Sequence, residues 1–106
     1  YYIEEAKKEG GKLAFGGRLL ERETRGFYLE PALFTETVNS MRINREEVFG
    51  PVASVVRVKD YDEALAVAND TIFGLSAGIC TASLKHASHF RKHSQAGMVM
   101  VNLPTA

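Results

Sequence analysis

Charge of one sign is what this sequence most plainly lacks. Thirteen Lys and Arg face thirteen Asp and Glu over 106 residues, for a formal net charge of zero. Nucleic acid or an anionic membrane surface as the main partner calls for a basic footprint, so neither is expected. A single cysteine, Cys80, excludes an internal disulfide framework and fits a reducing, cytoplasmic setting. No apolar run approaches the ~20 residues of a membrane span. There is no Gly-rich phosphate loop of the GxGxxG or GxxxxGK type, no internal repeat, no low-complexity tract and no visible secretory signal.

What is present is enough for one modest core. The chain begins Tyr1-Tyr2-Ile3 without Met and already reads as helix, and it stops at Ala106 just past a strand-like run. It is therefore expected to be a piece of a longer protein. Tyr2 to Glu9 reads as a helix stopped by Gly10-Gly11, with Glu4, Glu5, Lys7 and Lys8 forming a charged face. "KLAFGG" is a short strand closed by Gly16-Gly17, and "GRLLERETRG" a polar loop or hairpin. "GFYLEPALFTE" is extended, but Pro31 demotes it to an edge or broken strand. "VNSMRINREEVFG" looks irregular.

Beyond Pro51 the pattern becomes regular. "VASVVRV" is a β-branched strand, and "DYDEALAVAND" a helix with Asp60 as N-cap and Glu63 completing a capping box. "LSAGICT" is a strand, "SLKHASHFRKHSQ" a helix capped by Ser83, and "GMVMVN" a further strand. Strand, helix, strand, helix, strand predicts an α/β fold with a parallel-sheet βαβαβ arrangement. Cys80, between Ile79 and Thr81, reads as a thiol inside an apolar strand, packed in the core. His86, His89 and His93 share a helical stripe away from the apolar Leu84, Ala87 and Phe90. With no Cys or carboxylate to complete a set, they read as a solvated face, and no metal site is expected.

Ligands of open parallel sheets bind beyond the carboxyl ends of strands. That points to Asn102 and the Leu103-Pro104-Thr105 loop behind it. The Asn102 amide either holds a ligand or closes a strand turn. The same rule puts Glu46 and Glu47 at the wrong, amino end of their strand, where position alone makes them solvated loop carboxylates.

A resemblance changes that reading. "EEVFGPV", followed by "YDEALAVANDTIFGLSAGICT" and "AGMVMVN", resembles the C-terminal part of the catalytic domain of NAD(P)-dependent aldehyde dehydrogenases, across nearly the whole chain. The resemblance implies that residues 1–106 are a partial catalytic domain, using NAD or NADP on a small-molecule aldehyde. It implies cofactor-binding roles for Glu47, on the nicotinamide ribose hydroxyls, and for Phe49, beside the nicotinamide. It further implies a Cys nucleophile that forms a thiohemiacetal and a Glu general base, both upstream of Tyr1, so that no catalytic residue lies here and the chain alone is inactive. Cys80 is not that nucleophile. Asn102, Leu103 and Thr105 fall where the family shapes its substrate entrance, and "GMVMVNLPTA" resembles the branch acting on α-ketoglutaric semialdehyde.

Phe73 and Met100 depart from the Tyr and Trp frequent in the family. A homo-oligomer is expected, because a cut parallel sheet has open edges and zero net charge opposes association little. The alternative is a non-catalytic α/β binding or interaction module, since the strand-helix pattern alone supports it equally.

Overall fold

The computed structural model describes residues 1–104, and the chain gathers into two compact units, Tyr1–Arg57 and a second beginning at Val58. In the first unit, α1 (Tyr2–Lys8) ends where Gly10 takes a φ of 98°. Its charged face forms the expected ion pairs, Lys7 to Glu4 at 2.8 Å and Lys8 to Glu5 at 2.7 Å. Strand β1 (Lys12–Phe15) is closed by Gly16, whose φ is 65°. A Cβ there would lie 1.7 Å from the Pro31 carbonyl oxygen, so only glycine fits. The polar stretch that follows is a hairpin, β2 (Leu19–Leu20) against β3 (Tyr28–Leu29), with Arg18 and Glu30 paired at its base at 2.9 Å.

Pro31 breaks the extended run, and β4 (Ala32–Thr37) starts directly after it. This strand is not an edge: it is central, in the order β1-β4-β5, antiparallel to β1 and parallel to β5 (Val52–Val56). Proline is tolerated because it precedes the first ladder position. The alternation that buries Ala32 and Phe34 would next bury Glu36. A register shift with Glu36 at φ 55° prevents this. Glu36 instead meets Arg57 at 3.2 Å, while Thr37 turns inward and its hydroxyl donates to the Val55 carbonyl at 2.9 Å. Within the stretch expected to be irregular lies a short helix, α2 (Arg42–Arg45), so β4-α2-β5 is a crossover the sequence pattern missed. The core joins Ala6, Ala32, Phe34, Met41 and Ile43.

In the second unit, α3 (Tyr61–Asn69) is capped as expected: the Asp60 carboxylate accepts from Glu63 N at 2.9 Å. Glu63 reaches back one residue further than a standard box, to Lys59 N at 2.8 Å. Strands β6 (Ser76–Ile79) and β7 (Met98–Val101) run parallel, in register from Ser76 against Met98 to Ile79 against Val101. Between them, α4 (Leu84–His93) makes the crossover, with Ser83 Oγ accepting from His86 N at 3.2 Å. Asn69, the last residue of α3, caps the carboxyl end of α4: its Nδ2 donates to the His93 carbonyl and its Oδ1 accepts from Gln95 N, each at 2.9 Å.

The α/β class and the parallel pairings are thus present, but distributed differently from one βαβαβ sheet. β5 pairs with β4 in one sheet, while β6 and β7 form another. Cys80 also needs correction. It lies just past the end of β6 and is exposed, so it is not a core thiol. Leu84, expected on the apolar stripe of α4, is 81% exposed, and the burial falls to Phe90.

Candidate functional site

The Glu46-Glu47 pair is divided by its surroundings. Glu46 follows the last residue of α2 and its backbone is extended, with φ −112° and ψ 153°. Its Oε1 accepts from Arg42 Nε at 2.7 Å and its Oε2 from Arg42 Nη2 at 3.1 Å. The Tyr2 hydroxyl donates to Oε2 at 2.9 Å. These hydrogen bonds, Arg42 first and Tyr2 second, hold the Glu46 carboxyl below the usual carboxylate range. Both of its oxygens are committed.

Glu47 has the opposite surroundings. It is exposed, and its carboxylate has no hydrogen-bond or ion-pair partner among the described residues. Val48 then turns inward against the core cluster, and Phe49 turns out again with its ring 92% exposed. Phe49 has a φ of 50°, a left-handed conformation that L-residues with bulky side chains rarely adopt. The corner behind it is tied down twice, by Val52 N donating to the Gly50 carbonyl at 2.7 Å and Ala32 N to that of Pro51 at 2.9 Å. Glu47 and Phe49 therefore share one turn at the amino end of β5.

A free carboxylate and a flat apolar ring two residues apart suit a ligand that offers a vicinal diol next to a planar heterocycle. The carboxylate accepts two hydrogen bonds from the diol, and the ring gives the heterocycle a face to lie against. The nicotinamide riboside half of NAD or NADP has these two features in this order, so the residues fit it.

In the second unit, Asn102 follows β7 at a φ of 55°. Its backbone N donates to the Ile79 carbonyl at 2.8 Å. Its side chain grips the backbone of Thr81, Oδ1 accepting from N at 2.8 Å and Nδ2 donating to O at 3.0 Å. Of the two roles open to this amide, it has taken the fixing of the loop. Leu103 is held 65% exposed just beyond the carboxyl end of the strand. Thr105 lies outside the described residues.

Of the three histidines expected on a solvated face of α4, His86 is half-buried, and His86 and His89 both meet Tyr61 of α3, while His89 and His93 are exposed. Tyr61 stacks on His86 at 4.3 Å between ring centroids, and its hydroxyl is 2.9 Å from His89 Nδ1. His89 in turn stacks on His93 at 4.2 Å. No group of three or more metal-ligating side chains occurs among the described residues.

The sequence model of the aldehyde dehydrogenase family matches residues 1–106, the whole chain. The chain belongs to the aldehyde dehydrogenase family. It is 48% identical over 103 residues to the alpha-ketoglutarate semialdehyde dehydrogenase of Haloferax volcanii, covering 95% of this chain and 21% of that protein. It is 44% identical over 103 residues to the betaine aldehyde dehydrogenase of Brucella ovis, again 95% and 21%. Among solved structures, an indole-3-acetaldehyde dehydrogenase complexed with NAD+ superposes with a TM-score of 0.94 at 41% identity, over 99% of this chain and 21% of that one. A 1-pyrroline-5-carboxylate dehydrogenase from Thermus with bound NAD gives 0.92 at 43% identity, over 99% and 20%. The chain thus spans about a fifth of the length of these family members.

Within this aldehyde dehydrogenase segment, sequence reasoning missed Tyr2, Arg42 and the anchoring role of Glu46. The i,i+4 spacing of Arg42 and Glu46 was a usable signal, but only once the stretch between them is recognised as helical. Nothing in the sequence announces Tyr2, which is 44 positions from the carboxylate it touches.

Proposed function

We propose that residues 1–106 are part of the catalytic domain of an enzyme that oxidises an aldehyde to a carboxylic acid with NAD or NADP. In this reading Glu47 and Phe49 hold the nicotinamide end of the cofactor, while Asn102, Leu103 and Thr105 shape the substrate mouth. The observation that carries it is the turn itself, with an unpartnered carboxylate two residues from a 92% exposed ring in a left-handed backbone. Backbone strain that displays an apolar ring is more readily understood as serving a ligand than as serving stability.

When bound, the dinucleotide supplies the hydride acceptor. Glu47 accepts hydrogen bonds from the two ribose hydroxyls and so fixes the distance of the nicotinamide from the turn. Phe49 restricts the face on which that ring lies. Asn102 holds its loop to Thr81, so that Leu103 projects at the mouth without having to be ordered by substrate. The family's Cys thiolate, which attacks the aldehyde, and the Glu that activates water to release the acid belong to segments outside those matched here. Cys80 takes neither part, and the chain by itself is inactive. The substrate class is a semialdehyde, supported by the "GMVMVNLPTA" segment and the 48% identity to the Haloferax volcanii enzyme. A homo-oligomer in a reducing, cytoplasmic compartment completes the reading.

The test is Glu47→Gln in the full-length enzyme, followed by single-turnover hydride transfer and by cofactor titration. Weakening a charge-assisted contact and loosening the nicotinamide slows transfer about 10- to 100-fold. Dinucleotide affinity falls far less, since most of the dinucleotide is held elsewhere. An unchanged single-turnover rate reduces Glu47 to a solvated loop carboxylate and removes this reading.

A further inference from the structure

We propose that Tyr2, Arg42 and Glu46 form a positioning device for Glu47 and Phe49, and that the adjacent glutamates are one anchored and one presented carboxylate. The inference rests on the cofactor-binding reading of Glu47 given above. None of the three residues is placed on substrate or cofactor, so all three act through the turn.

The geometry assigns the division. Arg42 is the cation one helical turn before the pair, and it is spent on Glu46 through two hydrogen bonds at 2.7 and 3.1 Å. A fork engaged in this way leaves little to attract the neighbouring carboxylate, so Glu47 stays free for another diol or donor. The Tyr2 hydroxyl closes the other side of Glu46 at 2.9 Å, bringing α1 to the end of α2. Arg42 is itself held at three further points. Its Nη1 donates to the Tyr1 hydroxyl, its guanidinium lies 5.3 Å from the Tyr1 ring centroid, and its backbone N donates to Glu9 Oε2 at 2.9 Å. Both ends of α1 therefore grip a helix of only four residues, which could not hold its shape alone.

The consequence reaches the site within one residue. Glu46 is the last point at which the chain is tied by its side chain before the turn. Behind Phe49, the Gly50 and Pro51 carbonyls are the next ties. Glu47, Val48 and Phe49 span the interval, and Phe49 has the left-handed backbone. Releasing Glu46 frees one end of that interval, and the backbone there can relax towards an ordinary conformation, taking the Glu47 carboxylate and the Phe49 ring with it.

The experiment uses the full-length enzyme with Tyr2→Phe, Glu46→Gln and Arg42→Lys, each alone and combined with Glu47→Gln. Tyr2→Phe keeps the ring and removes only a hydroxyl, and Arg42→Lys keeps the charge and loses the fork, so folding is retained even if Glu46→Gln proves unstable. Each single variant is expected to slow single-turnover hydride transfer about tenfold, less than the ~10²-fold that a misplacement of about 1 Å can bring. Dinucleotide affinity stays within about threefold, since the device orients and does not bind.

In the Glu47→Gln background the same changes slow the reaction clearly less than the tenfold of the single variants, by about threefold at most, because one of the two groups they position is already gone and only Phe49 is left to misplace. That non-additivity is the readout a merely structural role would not produce. Wild-type rates in the three variants, beside a slow Glu47→Gln, overturn the positioning device and leave the cofactor reading intact. Effects that multiply fully in the double variants also overturn it. A wild-type rate in Glu47→Gln removes the cofactor reading, and the device with it.

Discussion

The Asn102 side chain clamps Thr81 at two points, accepting from its N at 2.8 Å and donating to its O at 3.0 Å. This makes one amide do for two strand exits what a further ladder pair would do. Asn102 also sits at φ 55°, where Asn and Gly are the residues that fit readily.

The two properties separate by mutation. Asn102→Gly keeps the backbone and loses the clamp, lowering stability of the whole enzyme by about 1 kcal/mol. Asn102→Ala loses both and lowers it by about 1 kcal/mol more. Chemical denaturation of both variants checks this. Equal losses would mean that the left-handed backbone contributes nothing.

Phe49 invites the opposite experiment. Its ring is 92% exposed and its backbone left-handed, so Phe49→Gly gives up little burial and removes strain. Stability is expected to hold or to rise by up to about 1 kcal/mol, while hydride transfer slows. A clear loss of stability would show that the ring packs against something in the whole protein and is not a presented surface.

Glu46 predicts a pH dependence with a definite sign. Its hydrogen bonds from Arg42, and then from Tyr2, hold its folded-state pKa below the ordinary 4.5. The unfolded chain therefore takes up the proton first as pH falls. The stability this carboxylate contributes is complete above the ordinary value and is lost as pH drops through and below it. Melting temperatures of the wild type and Glu46→Gln should therefore differ most near neutrality and converge progressively as the pH falls below ~5. Glu4, Glu5 and Glu30 are lowered in the same way, each by a hydrogen bond from Lys or Arg, but they are common to both proteins and cancel. A difference constant across that window would show that the carboxylate's charge is not what the network uses.

The chain on its own is expected to self-associate. Leu19, Phe27, Ile72, Leu75 and Leu84 are each at least 80% exposed, and zero net charge supplies little repulsion. Light scattering should report a dimer or larger species at concentrations near ~1 mM, and binding of an apolar dye should fall as association proceeds. A clean monomer would show that these side chains are tolerated singly in water.

What the sequence by itself determined was everything whose cause lies within a few residues. Asp60 and Ser83 start their helices because a short polar side chain reaches a backbone N–H three positions on. Gly10 and Gly16 end their elements because the chain needs positive φ there, and Pro31 breaks the strand it interrupts. The Glu-Glu-Val-Phe-Gly-Pro turn and its spacing from the later strands were equally legible, and with them the family.

The tertiary structure decided what depends on partners far along the chain. Strand pairing is one such matter. β5 joins β4 across a four-residue helix hidden in an irregular-looking stretch, because a ladder is chosen by non-local hydrogen bonds and shared burial. The fate of Cys80 is another, since β6 ends one residue short of it. The division of the glutamates is the third. Glu46 and Glu47 are chemically the same residue side by side, and only the arrival of Tyr2 from 44 positions away, with Arg42 folded back by a helical turn, makes one an anchor and leaves the other free.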